Sequence, residues 1–94
     1  MPEEPTRRRA TALRYEQGAH APKVTATGVG LVADRIIAAA REAGVPIRHD
    51  PALTEALAKL ELGDEVPEAL WKAVAETLAW AYRLDAKASG RRGP

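Results

Sequence analysis

Two glycines and a later aspartate have the spacing of a phosphate-binding turn. The stretch VTATGVGLVA places Gly28-Val29-Gly30 between a β-branched run and a helix-like pattern, and Asp50 follows about twenty residues later. This is the outline of a dinucleotide-binding fingerprint. In that interpretation the glycines let backbone N–H groups approach a pyrophosphate, and the helix N-terminus supplies partial positive charge.

The same residues also have a purely structural interpretation, which the sequence favours. Gly28 and Gly30 can make a tight turn between strand and helix, and Asp50 before Pro51 is a typical helix N-cap. A dinucleotide fold needs two such halves, and 94 residues leave room for one. We therefore expect no cofactor, and a small nucleotide-binding protein is kept as the alternative.

Residues for catalysis or metal binding are few. The chain has no Cys, its two histidines are His20 and His49, and its only serine is Ser89 near the C-terminus. No nucleophile, base and acid can be assembled from these, and no His, Asp and Glu cluster has metal-ligand spacing. The sequence therefore predicts a protein that is not an enzyme and holds no metal.

Composition favours one small cytoplasmic domain. Apolar residues make up 46% of the chain, and the formal net charge of +1 implies no strong attraction to nucleic acid or to an anionic membrane. The run Arg7-Arg8-Arg9 could contact nucleic acid or lipid, but a solvated charge run is expected. No apolar run approaches the roughly 18 residues of a membrane span, and no secretory signal is recognisable.

Periodicity and turn residues predict an α/β fold with the order β-β-α-β-α-α. The expected sheet is small and mixed, with about three or more strands packed against three helices. Its first two strands pair antiparallel, and the helix after the second strand crosses over to a third, parallel strand. The predicted strands cover 10–16, 23–27 and 45–49, and the predicted helices cover 30–43, a segment from Pro51 to before Gly63, and 67–84. Residues 1–9 and 85–94 are expected to be disordered, which leaves 10–84 as the domain.

Several short motifs resemble one known family. They are Ala21-Pro22-Lys23-Val24, the Gly28 turn, Val45-Pro46-Ile47, Asp50-Pro51 with Leu53, Gly63, Val66-Pro67 and Ala73-Val74-Ala75-Glu76, together with ALRY at 12–15. Over residues 10–84 the chain resembles the cytoplasmic C-terminal domain of the FlhB/YscU proteins of flagellar and type III secretion systems. The resemblance implies a domain of an export gate that helps to set the class of exported substrate.

One departure from the family pattern concerns its self-cleavage. The resemblance implies cleavage at an Asn-Pro-Thr-His loop, where the Asn side chain cyclises onto its own carbonyl. Here that motif would fall on Pro5-Thr6-Arg7-Arg8, and the chain contains no Asn. The chain therefore resembles stand-alone proteins that consist of the post-cleavage half alone.

The resemblance implies a docking module at the periphery of the inner-membrane export gate, with flagellar or type III export-gate proteins or export substrates as partners. Its expected surface surrounds the short Pro-containing strand: Val45, Pro46, Ile47, Arg48, Asp50, Pro51 and Leu53. A possible edge strand with a Pro break offers backbone groups and apolar side chains to an extended peptide. Pro46 and Arg48 are expected to be exposed, whereas Val45, Ile47 and Leu53 are expected in the core. A regulator that reuses the fold is a further alternative.

The last predicted helix carries three aromatic residues. Trp71 and Tyr82 are eleven residues apart, which places them on one helix face, and both are expected to pack on the sheet. Trp80 lies away from them, and an exposed Trp80 would be a candidate docking residue.

Overall fold

The chain begins with an antiparallel β-hairpin. In the computed structural model, which describes residues 8–92, β1 spans Arg9–Arg14 and β2 spans Lys23–Val29. The register shifts between Ala12 and Leu13, so Leu13 faces Val24. The shift is typical of a bulge, which keeps both of these side chains available to the core. The predicted hairpin and its antiparallel pairing are confirmed.

Helix α1 spans Leu31–Ala43 and lies against both strands. Ala33, in the first turn of the helix, is fully buried. Gly44 ends the helix in the left-handed conformation with φ 76°, as helix C-caps commonly do. The bounds predicted from Gly30 and Gly44 are confirmed.

Two further helices close the core. Helix α2 spans Pro51–Leu57, a single 3₁₀ turn spans Glu68–Leu70, and α3 spans Trp71–Arg92. The fully buried side chains between them are Leu57, Val66 and Val74, and the half-buried ones packed against these are Leu13, Leu53, Leu60, Leu70, Trp71 and Leu78. Leu53, Leu57 and Leu60 have the i, i+4, i+7 spacing of one helix face, and they contribute to this core together with Leu70, Val74 and Leu78.

The third strand predicted at 45–49 does not form, and this prediction was wrong. Within residues 8–92 the sheet has two strands, so the parallel pair is absent and the element order is β-β-α-α-3₁₀-α. The amide of Val45 donates to Ala40 O at 2.9 Å as part of the end of α1, and Pro46 has no N–H. The first two residues of the segment therefore have no donor left for a ladder.

A distant segment pairs with β2 instead. Val24 N donates to Asp64 O at 2.9 Å, and Gly63 N donates to Val24 O at 2.8 Å. An isolated antiparallel bridge joins Lys23 to Glu65. These bonds occupy the edge of β2 that faces away from β1 along the first part of the strand.

Strand β1 and helix α3 extend beyond the ranges that the sequence predicts for them. Arg8, expected in the disordered segment 1–9, accepts a hydrogen bond from Gly30 N at 2.8 Å, and β1 begins at Arg9. Helix α3 continues to Arg92, whereas the sequence predicts an end near Leu84. The rest of the two predicted disordered segments, 1–7 and 93–94, lies outside the described residues. No helix in the described part of the chain is long and apolar enough to cross a membrane.

Candidate docking surface

The segment between α1 and α2 presents two apolar side chains to solvent. Val45 is 52% exposed and Ile47 is 40% exposed, and Pro46 lies half-buried between them. The prediction that Val45 and Ile47 are core residues was wrong, as was the expectation that Pro46 is exposed. Because the segment joins no sheet, Val45 and Ile47 do not lie on a sheet face that packs against the core.

Arg48 anchors the end of this segment to α3. Its Nη1 lies 3.4 Å from Oγ1 of Thr77, and its Cζ lies 5.9 Å from the centroid of the Trp80 ring. A guanidinium over an indole at this distance is a cation–π contact. Arg48 is exposed as predicted, and it covers one face of Trp80, which is half-buried.

The remaining predicted surface residues have structural roles. The Asp50 Oδ1 accepts from Leu53 N at 3.1 Å, and Pro51 occupies the first turn of α2, so the predicted N-cap is confirmed. Leu53 packs against the core as predicted. The candidate set therefore divides into two parts. One part is the exposed Val45, Ile47 and Arg48 with the half-buried Pro46 between them, which we call the VPIR segment.

The glycine turn is explained by packing and backbone geometry. A β-carbon on Gly28 would meet Cγ1 of Val32 at 2.2 Å, so β2 and α1 approach too closely there for any side chain. Gly30 has φ 63° and ψ −126°, a conformation that favours glycine. Its N–H donates to Arg8 O rather than standing free to receive a phosphate. These contacts favour the structural interpretation of the turn.

His20 lies beside Trp71 at an open cleft. The two rings meet edge to face with centroids 5.5 Å apart, and Trp71 Nε1 donates to Val66 O at 2.8 Å. The cleft has a volume of about 330 Å³ and is lined by His20, Glu65, Val66, Pro67, Glu68 and Trp71. Among residues 8–92, no three His, Asp or Glu side chains are grouped closely enough to hold a metal ion.

The aromatic residues of α3 have different environments. Trp71 packs against the buried cluster of Leu57, Val66 and Val74, where the sequence predicts packing on the sheet. Tyr82 is 70% exposed, so the prediction that it packs on the sheet was wrong. Trp71 and Tyr82 lie on the same face of α3, but the helix extends past the end of the core. Tyr82 therefore lies beyond the residues that Trp71 contacts.

Comparison with known proteins identifies the family. The sequence model described as "FlhB HrpN YscU SpaS Family" matches residues 4–81. The chain belongs to this family. Membership confirms the resemblance that the Ala21-Pro22-Lys23-Val24 and Val45-Pro46-Ile47 motifs indicate.

Individual relatives differ in length. The uncharacterised protein YlqH of Bacillus subtilis is 45% identical, with 98% of this chain and 100% of that protein covered. The flagellar biosynthetic protein FlhB of Escherichia coli is 44% identical over 77 residues, which is 80% of this chain and 20% of FlhB. The chain thus spans about a fifth of that FlhB.

A solved structure of the family has the same fold. The crystal structure of the cytoplasmic domain of FlhB from Shewanella putrefaciens superposes with a TM-score of 0.84 at 33% identity, covering 93% of this chain and 74% of that domain. The predicted α/β class, with helices against a small sheet, is therefore confirmed at the level of the family fold.

Two features of the surface were missed by sequence reasoning. Nothing in the spacing of Arg48, Thr77 and Trp80 shows that they meet, because the contact joins residues about thirty positions apart. The sequence places Val29 in the glycine turn and Leu31 and Val32 in the helix that follows, and it does not indicate that all three side chains are exposed. The run GVGLV is the signal that could have identified them, since it places three large apolar residues at a turn.

Proposed function

We propose that the chain is a non-enzymatic docking component of a type III protein export apparatus. Its surface is the VPIR segment, and its partners are export-gate proteins or export substrates. The observation that carries the proposal is the pair of exposed side chains Val45 and Ile47, on a segment outside helix and sheet whose Arg48 contacts α3.

Family membership supports a role in protein export. The relatives include flagellar biosynthetic FlhB proteins, and the matched structure is an FlhB cytoplasmic domain. The chain would then act in place of, or in competition with, the corresponding fifth of a full-length FlhB. The sequence contains no Asn, so backbone cleavage through Asn cyclisation is chemically unavailable to it.

The residue types of the segment support an extended peptide as ligand, because Pro46 favours an extended backbone at Val45. Alternate side chains of an extended segment point to the same side, so Val45 and Ile47 can contact the same partner. Burial of these exposed apolar side chains against a partner lowers the free energy, because it removes apolar surface from water. Pro46 between them restricts the backbone, which lowers the entropy lost on binding.

The test compares two aspartate variants of matched exposure. Ile47 is 40% exposed and Leu84, far along α3, is 41% exposed. The purified chain, Ile47→Asp and Leu84→Asp are used as baits in lysate of the native organism, and captured proteins are identified by mass spectrometry. We expect the native chain and Leu84→Asp to capture export-gate proteins or export substrates. Ile47→Asp is expected to capture about tenfold less of the same proteins.

Either of two results would contradict the proposal. If the native chain captures no component or substrate of the export apparatus, the proposed function is contradicted. If Ile47→Asp and Leu84→Asp capture equal amounts of these proteins, the VPIR segment is not the docking surface. Far-ultraviolet circular dichroism of each variant shows that the fold is retained before the comparison is made.

A further inference from the structure

Three apolar side chains project at the turn between β2 and α1. Leu31 is 75% exposed, Val32 is 50% exposed and Val29 is 47% exposed. They are separated only by Gly30, and we call them the apolar tip. Exposed apolar groups gathered in one place mark interaction sites more often than scattered ones do.

Backbone hydrogen bonds hold the apolar tip in place on both sides. Gly30 N donates to Arg8 O at 2.8 Å, which ties the turn to the residue before β1. Gly30 O accepts from Asp34 N at 3.0 Å, which starts α1. The apolar side chains are therefore presented by a fixed turn and need no ordering step before binding.

Arginines surround the apolar tip. Arg9 lies directly opposite Val29 in the register of the hairpin, and both side chains are exposed. Arg35 is also exposed and lies one turn after Leu31 on α1. Arg8 pairs with Asp34 at 3.1 Å, so the carboxylate that the described residues place beside the apolar tip already has a cationic partner.

We propose that the apolar tip docks on an anionic lipid surface. Apolar side chains that enter the headgroup region, flanked by cations that attract acidic lipids, are the two components of peripheral membrane binding. Leu31 projects with three quarters of its surface exposed, which suits insertion into a lipid interface. Arg9 and Arg35 complement the negative headgroups on either side of it.

The local charge differs from the charge of the whole chain. The formal net charge of +1 implies no attraction to an anionic membrane. At the apolar tip, however, the described residues place Arg8, Arg9 and Arg35 around one carboxylate, that of Asp34. The proposal therefore gives Arg8 and Arg9 a role beyond that of the solvated charge run that the sequence predicts.

The apolar tip and the VPIR segment lie at opposite ends of α1. The helix has 13 residues, so about 20 Å separates its two ends. A chain bound to lipid through Leu31 leaves Val45 and Ile47 at the far end free for a partner. The inference does not depend on the proposed docking function, since the two use different residues.

Vesicle flotation tests the contribution of the apolar side chains to lipid binding. The purified full chain is mixed with vesicles of phosphatidylglycerol and phosphatidylcholine, and separately with vesicles of phosphatidylcholine alone. We expect binding to the first, little to the second, and release as salt is raised. Leu31→Ser is expected to partition about tenfold more weakly. Leu62→Ser is the matched control, because Leu62 is 68% exposed on another turn, and it is expected to bind normally.

A second pair of variants tests the charges. Arg9→Gln with Arg35→Gln is compared with Arg41→Gln and Arg83→Gln, which changes the net charge equally away from the apolar tip. We expect about fivefold weaker binding per arginine removed at the tip and a much smaller effect in the control. Thermal unfolding of each variant verifies folding, and Leu31→Ala replaces Leu31→Ser if the latter is unfolded.

The inference is overturned by any of three results. They are no binding to phosphatidylglycerol vesicles at low salt, equal binding to neutral vesicles, and equal losses in the tip and control variants. A tip variant that retains vesicle binding but loses capture of a protein would assign these residues to a protein interface instead.

Discussion

Gly28 of β2 and Val32 of α1 touch at a point where only a glycine fits. A β-carbon built on Gly28 would lie 2.2 Å from Cγ1 and 2.8 Å from Cβ of Val32. The obstacle is the stiff, branched base of a side chain rather than a flexible end. This contact sets how closely the helix approaches the hairpin, and so positions both the apolar tip and the start of α1.

Replacing Gly28 is therefore expected to strain the contact between strand and helix. We expect Gly28→Ala to lower the free energy of unfolding by about 1–3 kcal/mol, because one element must shift. Urea unfolding measures the change. Adding Val32→Ala removes the obstructing methyl groups and should restore part of the loss, whereas additive effects in the double variant would contradict the packing explanation.

Trp71 supplies a hydrogen bond to a buried carbonyl. Its Nε1 donates to Val66 O at 2.8 Å, and Val66 is 2% exposed. We expect Trp71→Phe to lower the free energy of unfolding by about 1–3 kcal/mol, because the carbonyl of Val66 loses this partner. Thermal or urea unfolding gives the value.

The control for this prediction is Trp80→Phe. Trp80 faces Arg48 with its ring, and a phenyl ring keeps an aromatic face there. We expect a smaller loss of stability than with Trp71→Phe. Equal effects of the two substitutions would show that the Val66 hydrogen bond contributes little.

The contact between Arg48 and Trp80 is expected to restrain the VPIR segment. A double-mutant cycle with Arg48→Ala and Trp80→Leu should give a coupling energy of about 0.5–1 kcal/mol. Because the contact is at the surface, the single substitutions should lower the stability only slightly. NMR order parameters of the Ile47 and His49 amides should fall in Arg48→Ala, and unchanged order parameters would mean that the segment is held by other contacts.

The alternative of a nucleotide site predicts a different set of results. It requires binding of NAD or ATP that is lost in Gly30→Val. We expect no binding in a calorimetric titration of the native chain, because Gly30 N already donates to Arg8 O and the close contact with Val32 accounts for Gly28. Saturable binding that Gly30→Val abolishes would reverse this conclusion.

The end of α1 and the start of α2 were predictable because they depend on neighbouring residues. Gly44 ends α1 and Asp50 with Pro51 begins α2, each through a bond or a dihedral within a few positions of the chain. The hairpin was predictable for a similar reason, since a short loop joins two runs with strand character. The leucines of α2 reach the core because their spacing alone puts them on one helix face.

The segment 45–49 shows where local reasoning is insufficient. Val45-Pro46-Ile47 has strand-like residues, yet Val45 N is used at the end of α1, and residues 63–66 pair with part of β2. Which segment joins an open sheet edge depends on contacts across the whole chain. Tyr82 was misplaced for a related reason, because helical phase gives a direction but not the length of the core beneath it.

The sequence by itself determined the family, the helix caps and the hairpin, since each depends on residue types at short and regular spacings. Only the tertiary structure decided which apolar residues reach the surface. Val45 and Ile47 are exposed because no strand forms there, and Leu31 is exposed because the approach of Val32 to Gly28 fixes the start of α1. Burial is a property of the assembled neighbours of a residue, and those neighbours are distant in the chain.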